Sequence, residues 1–577
     1  ATFATAWDSQ LPQSMGAVAV DSKGVVWAGT GEVDHGGGSA YYGNGIYKST
    51  DGGATWTNMG LRDGDTIGQI VIDPRNDDRV FVAVMGALHD LDDPDRGLFM
   101  TENGGASWTR VLTPQSTNTG AVDVTINKTN PDIMLATTWD KTRDEKSRVY
   151  GPHSYLYRST NGGRTWDNIH DAPLPQSETN PALQTPDNLV GRMGVDFSDS
   201  LPTRAYLISS TARGNFNGLF VSNDAGATWT EVPQTPLPNG QIVLQQISGG
   251  FAWWFGRVYV DPVNPNHIVV AGVNYAESLD GGLTWTTRSL NVIHADQHGL
   301  EFDPLTPGRV YLGNDGGFYV SNENGTAGGL WFKTPRLPVT QFYAMDVSVQ
   351  DGTRVNAGSQ DNNSLKSWQN DNTVTGDWMA YVGGDGMMNR IDPTNDRKFY
   401  GCSQNGGCRR FFPGAPNNGI SMTIPGARKN WVAPLEFAAD PRFIFGGSEA
   451  VYRIDSEPAT AAPRAWAQIS PDLTDGPELP RAPGFGTITA LGTTGADPNL
   501  LYAGTDSGRM WVSRNAMDPA AEVTWTELES PLFPGRWVTR ITVDPDNAKI
   551  AWATFSGWRN DDAYPHIIMT SDGGATW

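Results

Sequence analysis

The chain has 577 residues, with 41 basic against 63 acidic side chains, a net charge of −22, and 67 Gly, 38 Pro, 21 Trp and 2 Cys. A field of that sign repels polyanions, which excludes nucleic-acid binding through counterion release. So much Gly and Pro beside an 18% charged fraction excludes long helices and coiled coils, 10% aromatics excludes disorder, and the length exceeds what one core fills.

The sequence opens at Ala1 without a methionine, a charged n-region or an apolar h-region. No stretch nears the roughly 20 apolar residues of a membrane span. Both features lead to the expectation of a processed secreted protein, extracellular or periplasmic, with no membrane span.

An octapeptide S-x-D-x-G-x-T-W then recurs along the chain. It runs from Ser49 to Trp56, Ser159 to Trp166 with Asn161 in the acidic place, Ser222 to Trp229, Ser278 to Trp285 and Thr570 to Trp577, with a weaker copy from Thr101 to Trp108. Starts at 49, 101, 159, 222 and 278 are spaced as one four-stranded propeller blade with its loops requires. Within each repeat an alternating apolar run ends in Asp-Pro, a second apolar run follows, and the octapeptide makes the hairpin into the outermost strand. Asp51, Asp224, Asp280 and Asp572 are therefore structural. Each carboxylate can accept amides of its own turn, the glycines take positive φ, and the Trp covers the gap between sheets.

The same pattern places inner strands near Val18, Ile70, Val122, Met193, Val258, Leu300, Ala344, Met388, Leu435, Ile488 and Ile541, eleven blade-like units without a long amphipathic helix. The fold class is all-β. Because propellers carry four to eight blades, the expected arrangement is tandem β-propellers: a first of about seven blades over 1–384, and a second over 385–577 with four recognisable blades, stopping where an outer strand should begin. The alternative is a single ten- or eleven-bladed propeller.

Two acidic loops, His89–Asp95 and Trp139–Glu145, read as solvated, and the first leaves structural calcium as the one cofactor to consider. Cys402 and Cys408, in the Gly/Asn loop GCSQNGGC, read as a small disulfide.

Asp boxes in such an array resemble the xyloglucanase and oligoxyloglucan cellobiohydrolase family of glycoside hydrolases. The runs HADQHGLEFDP (294–304), VYLGNDGGFYVS (310–321), LPVTQFYAMDV (337–347), AGSQDNNS (357–364) and YVGGDGMMNRIDP (381–393) are similar to bacterial secreted proteins described as sortilin-like or BNR/Asp-box repeat proteins. The resemblance covers nearly the whole chain. It implies tandem propellers and, from the xyloglucanase side, one catalytic Asp in each propeller at the cleft between them. The Thr-Asp-Ile-Gly-Gly motif of those enzymes is replaced here by WAGTGEVDHGGGSAYYGNGIY (27–47), with Glu32, Asp34 and His35. The sialidase Arg-Ile-Pro motif is missing, and Arg192, Arg257 and Arg540 recur at one point of the inner-strand pattern, as packing residues would.

In a propeller, the loops entering inner strands and those joining second to third strands share one face. His294, Asp296 and His298 enter the sixth inner strand, Asp315 follows in its second-to-third connection, Gln360, Asp361 and Asn362 occupy the next such connection, and Asp385 enters the eighth unit. Glycoside hydrolysis needs two carboxyl groups. Asp315 and Asp385 are the first pair to consider for catalysis, with Asp296 and Asp361 in reserve and no metal assigned. His294, His298, Gln360 and Asn362 would bind substrate. Trp139, Trp253 and Trp254 would stack on sugar rings, with Trp431, Trp537 and Trp558 as further aromatics on that face. The implied function is a secreted, glycan-acting glycoside hydrolase or lyase with a polysaccharide or oligosaccharide partner. The alternatives are a sortilin-like peptide- or protein-binding module and an extracellular surface-assembly protein.

Overall fold

The structure is a computed structural model. It describes all residues except 1–5, 8–10, 34–40, 91–92, 144–147, 288–291, 324, 327–328, 335–336, 338, 370–373, 458–464, 477–485, 558–561, 563 and 565. Asp34, His35 and Trp558 lie outside the described residues.

Eleven antiparallel sheets follow one another along the chain: sheet 1 (15–58), sheet 2 (67–112), sheet 3 (119–168), sheet 4 (190–231), sheet 5 (257–287), sheet 6 (297–333), sheet 7 (342–382), sheet 8 (389–421), sheet 9 (435–468), sheet 10 (488–528) and sheet 11 (538–570). Nine are simple four-stranded meanders, the blades of a β-propeller fold. Sheet 3 adds the short strand Arg148–Tyr150, and sheet 11 has three strands. Two short helices, Val243–Ser248 and Ala252–Phe255, precede sheet 5. Among the described residues, no helix is long and apolar enough to cross a membrane.

The chain divides into two compact units, Ala1–Pro338 with sheets 1 to 6 and Val339–Trp577 with sheets 7 to 11. The repeat pattern alone grouped sheet 7 with its predecessors and put the boundary at 384/385. Within the second unit, sheet 7 packs on sheet 8. The Asp346 Oδ2 accepts the Ile391 amide at 2.7 Å, and Gly358 lies so close to residues 386–387 that a Cβ would meet the Met387 carbonyl oxygen at 2.1 Å.

Each blade is built as its residues dictate. The Asp closing a first strand caps the turn after it: Asp261 Oδ1 accepts the Val263 amide at 2.7 Å, Asp303 that of Leu305 at 2.9 Å and Asp392 that of Thr394 at 2.8 Å. In the octapeptide turn, Asp51 accepts Ser49 Oγ at 2.8 Å, the Thr55 amide at 2.9 Å and Thr55 Oγ1 at 2.6 Å. These bonds, led by that from Thr55, hold the Asp51 carboxyl down at about 2. Asn103 and Asn161 make the same turn with an amide oxygen.

The octapeptide Trp seals neighbouring sheets. Trp108 Nε1 of sheet 2 donates to Met59 O just beyond sheet 1 at 2.8 Å, and Trp285 of sheet 5 to Gln234 Oε1 just beyond sheet 4 at 3.0 Å. Trp525 of sheet 10, which has no octapeptide, still reaches Ile469 O at 2.8 Å. Nearer the first strands, carboxylates tie one sheet to the next: Asp123 Oδ2 of sheet 3 accepts the Val195 amide at 3.1 Å, and Asp196 Oδ2 of sheet 4 that of Val260 at 3.0 Å. Arg192 is buried, and Arg257 Nη2 crosses from sheet 5 to Gly68 O of sheet 2 at 3.2 Å, so in the first unit these recurrent arginines pack the interior. Cys402 and Cys408 pair directly across a hairpin of sheet 8 as a disulfide.

The two glycines of the octapeptide differ in purpose. A Cβ on Gly52 (φ 73°) would meet nothing within 4 Å, and sheet 4 tolerates Ala225 at that place with φ 58°. A Cβ on the second glycine strikes the preceding sheet: Gly163, φ 76°, would lie 2.3 Å from Phe81 Cε1. Gly163→Ala should therefore cost about 2–4 kcal/mol in denaturant unfolding, against about 1 kcal/mol for Gly52→Ala. Equal losses would refute the distinction.

His267 is buried in sheet 5, with Nδ1 2.8 Å from Asp261 Oδ2 and Nε2 3.5 Å from Glu277 Oε2. Burial opposes charge there, but Asp261 and Glu277 outweigh it and raise the imidazole to about 9. The protonated ring thus contributes stability that is full below pH 6.5 and fades as pH rises through 9. Melting temperatures of the parent should fall across that window, and those of His267→Gln should fall less. Parallel curves would contradict the assignment.

Candidate functional site

In the first unit, the loop entering sheet 6 is laced to its surroundings by backbone bonds. Asp296 N donates to Val273 O at 3.0 Å and Gln297 N to Gly272 O at 2.9 Å, which fixes the loop on the second-to-third turn of sheet 5. Gln297 Nε2 reaches His294 O at 2.6 Å, and Asn314 Nδ2 reaches that carbonyl and Gln297 Oε1 at 3.2 and 3.1 Å. The turn after Asn314 is thereby drawn onto the loop, and Asp315 N donates to Asp296 O at 3.3 Å. Gly316 sits directly over His294, where a Cβ would come within 2.3 Å of the His294 Cβ.

Asp296 adopts a left-handed backbone, φ 65°, a conformation that non-glycine residues keep only where the surroundings enforce it. It places a carboxylate oxygen within 4.8 Å of one on Asp315. His298 Nε2 lies 2.6 Å from Asp315 Oδ1, and both side chains remain partly exposed, at 34% and 20%. The helix Ala252–Phe255 supplies an aromatic wall: the His298 ring lies 5.3 Å from Phe255 and 6.0 Å from Trp254. Buried Arg192 holds the helix by donating from Nη1 to Trp254 O.

Trp139 and Trp253 were expected to face sugars, and the structure buries both, at 0% and 3% exposed, with Val33, Met85 and Val122. Lys141 Nζ lies 4.4 Å from the Trp139 ring and 5.2 Å from Trp253, and the Arg148 guanidinium lies 4.6 Å from Trp253. These indoles serve as apolar and cation–π partners inside the unit. Of the three indoles, only Trp254 is left half-buried, with its ring 6.0 Å from that of His298.

Neither acidic loop is solvated throughout. Residues 134–143 form one strand buried along its length, carrying Asp140, Lys141 and Arg143. In the other loop, Asp93 is buried and its oxygens accept the Ala87 and Asp95 amides at 2.8 and 2.7 Å, so that carboxylate serves the loop itself.

In the second unit, the turn Ser359–Asn363 carries Gln360, Asp361 and Asn362, with Asp361 and Asn363 at φ 56° and 73°. Asp385 is buried, and both oxygens are engaged: Oδ1 accepts the Asp361 amide and Oδ2 the Gln404 Nε2, each at 2.6 Å. Asn362 Nδ2 donates to Gln360 O at 3.2 Å. Asp385 therefore ties two adjacent turns together, and Asp361 is the more exposed carboxylate. Trp431 is exposed, and its carbonyl accepts the Asn405 amide at 3.1 Å.

Residues 44–174 match the sortilin family, Sortilin-Vps10 (sortilin, neurotensin receptor 3). A Paenibacillus xyloglucanase is 26% identical over 270 residues, 42% of this chain and 23% of that protein. The oligoxyloglucan-reducing end-specific xyloglucanase of Emericella nidulans is 29% identical over 198 residues, 32% of this chain and 23% of that protein. The chain is similar to sortilin-type Asp-box propellers and, distantly, to xyloglucanases. The matches thus span about a quarter of the length of these relatives. The fold is shared with a GH74 enzyme of Niastella koreensis, with a TM-score of 0.55 and 19% identity over 98% of this chain and 78% of that one.

One charged pair is not apparent from the sequence. Asp140 Oδ2 accepts the His153 amide at 3.1 Å and lies 2.8 Å from His153 Nδ1. The signal was a run with three charges in four residues, Asp140-Lys-Thr-Arg143, continuing an apolar strand. The Asp385 tie is testable by hydrogen exchange: Asp385→Ala should speed exchange of the Asp361 amide about 10- to 100-fold, the worth of one charge-assisted bond. An unchanged rate would show that the turn stands without it.

Proposed function

We propose that the protein is a glycan-cleaving hydrolase working on the loop face of the first unit. The observation that carries this reading is the pair Asp296 and Asp315, partly exposed carboxylates with oxygens within 4.8 Å, one of them fixed by His298, whose ring lies against Trp254 and Phe255. Retaining glycosidases hold their carboxyl groups about 5–5.5 Å apart, and inverting ones leave about 6.5–9.5 Å for a water. The short separation supports double displacement. Asp315, oriented by His298, attacks the anomeric carbon while Asp296 gives its proton to the departing glycosidic oxygen. Asp296 then takes a proton from the water that releases the sugar from Asp315. Half-buried Trp254, backed by buried Phe255, supplies the apolar surface on which the C–H face of a pyranose packs.

Similarity to xyloglucanases supports a polysaccharide or oligosaccharide substrate, and such a substrate fits a secreted protein. A second reading, peptide or protein binding without catalysis, draws on the sortilin match over 44–174. Reducing-end release from a panel of polysaccharides separates the two. Asp315→Asn and Asp296→Asn should each lower kcat about 10²- to 10⁴-fold with little change in KM. Unchanged rates in both variants would remove the assignment, and no turnover on any glycan would favour the binding module.

A further inference from the structure

The second unit contains a recess of about 430 Å³ that plays no part in the site above. It opens between the fourth strand of sheet 7 and the outer half of sheet 8, and Tyr381, Val382, Ser403, Arg409, Asn418 and Thr423 contribute to its wall. Small-molecule sites span about 300–1,000 Å³, so the space suits one or two pyranose rings.

Its chemistry is set by Arg409, half-buried on the third strand of sheet 8. The guanidinium is oriented by Nε, which donates to Asn418 O on the loop that follows. In the same unit Arg390, Arg442 and Arg536 are paired with Glu436, Asp455 and Asp562, and Arg509 with Asp475 and Glu527. Among the described residues, no carboxylate lies within 4.0 Å of Arg409, and neither Nη has a hydrogen-bond partner. In a chain carrying −22, a cation held in a recess without an internal counter-ion is placed to take an anionic group from outside.

The remaining walls fit a sugar. The amide of Asn418 and the hydroxyl of Thr423 stand exposed at the rim. Ser403 Oγ donates to Gly407 O at 3.3 Å, which leaves its lone pairs to accept a hydroxyl. Tyr381 and Val382 line one side of the recess, and the Tyr381 ring is held edge-on to Phe399 and Phe411 at 5.3 and 5.1 Å.

We propose that this recess is a carbohydrate subsite selective for a uronic acid, with Arg409 gripping the carboxylate through both Nη groups. A neutral sugar would leave those donors to water, and a dianion would meet the repulsion of the whole chain. The subsite deepens the glycan-acting reading by naming an acidic glycan as ligand, yet it stands on geometry confined to the second unit.

The full chain is titrated by calorimetry with glucuronate- and galacturonate-containing oligosaccharides and with their neutral counterparts. The parent should bind the acidic sugars more tightly. Arg409→Gln should weaken that binding about 10- to 100-fold and leave neutral sugars unaffected, while Arg409→Lys, which keeps the charge but loses the fork, should fall between. Equal affinity for acidic and neutral sugars, or acidic binding blind to Arg409→Gln, would overturn the proposal. So would preference for a peptide ending in a free carboxylate. The two readings fail separately. Uronate binding that depends on Arg409, with cleavage insensitive to Asp315→Asn and Asp296→Asn, would remove the catalytic pair alone. The reverse pattern would remove the subsite alone.

Discussion

No sheet in this chain can bury its own faces, so the structure depends on what each sheet borrows from its neighbour. Four-stranded meanders of this size are unstable alone and gain their core by stacking. The interlocks are specific as well as apolar. Trp108, Trp285 and Trp525 donate to the backbone or side chains just beyond the preceding sheet. Gly163 admits Phe81 where any Cβ would collide. Asp123, Asp196 and Asp346 accept amides of the following first strand. An indole buries about 150–250 Å² and still needs a partner for its N–H, which is why the same residue both seals and aligns.

The periodic part of this scheme was legible in the sequence. Ten of the eleven inner-strand positions fall inside a first strand, and Met388 immediately precedes one. They were legible because the Asp-Pro ends and the octapeptides are local devices whose geometry their own residues determine. What escaped depends on distant partners. Lys141 reads as a solvated charge until Trp139 and Trp253 are seen to enclose it. Asp385 reads as a catalytic acid until Asp361 and Gln404 are found on its two oxygens. The repeat pattern runs through 338/339, where the compact units divide, without a change that would mark it.

The candidate site shows how far topology carries. Blade connectivity alone brought His294, Asp296, His298 and Asp315 to one face, because entry loops and second-to-third turns share an end of the strands. It could not supply the lacing by Gln297 and Asn314 or the left-handed Asp296 that brings two carboxylates together. Those features arise from amide hydrogen bonds between loops, which composition does not encode. Arg192 works at one remove, since its bond to Trp254 O anchors the helix whose rings face His298.

The octapeptide turns lie on the third-to-fourth connections, at the end of the strands opposite these loops. The anchoring turns and the loops of the candidate site therefore lie at opposite ends of the strands. A substitution in an entry loop need not disturb the Ser49–Asp51–Thr55 type of turn, and the turn can be copied from blade to blade without duplicating a site. The fold is thus modular in an evolutionary sense: one edge preserves the architecture, and the other is free to acquire new chemistry one loop at a time.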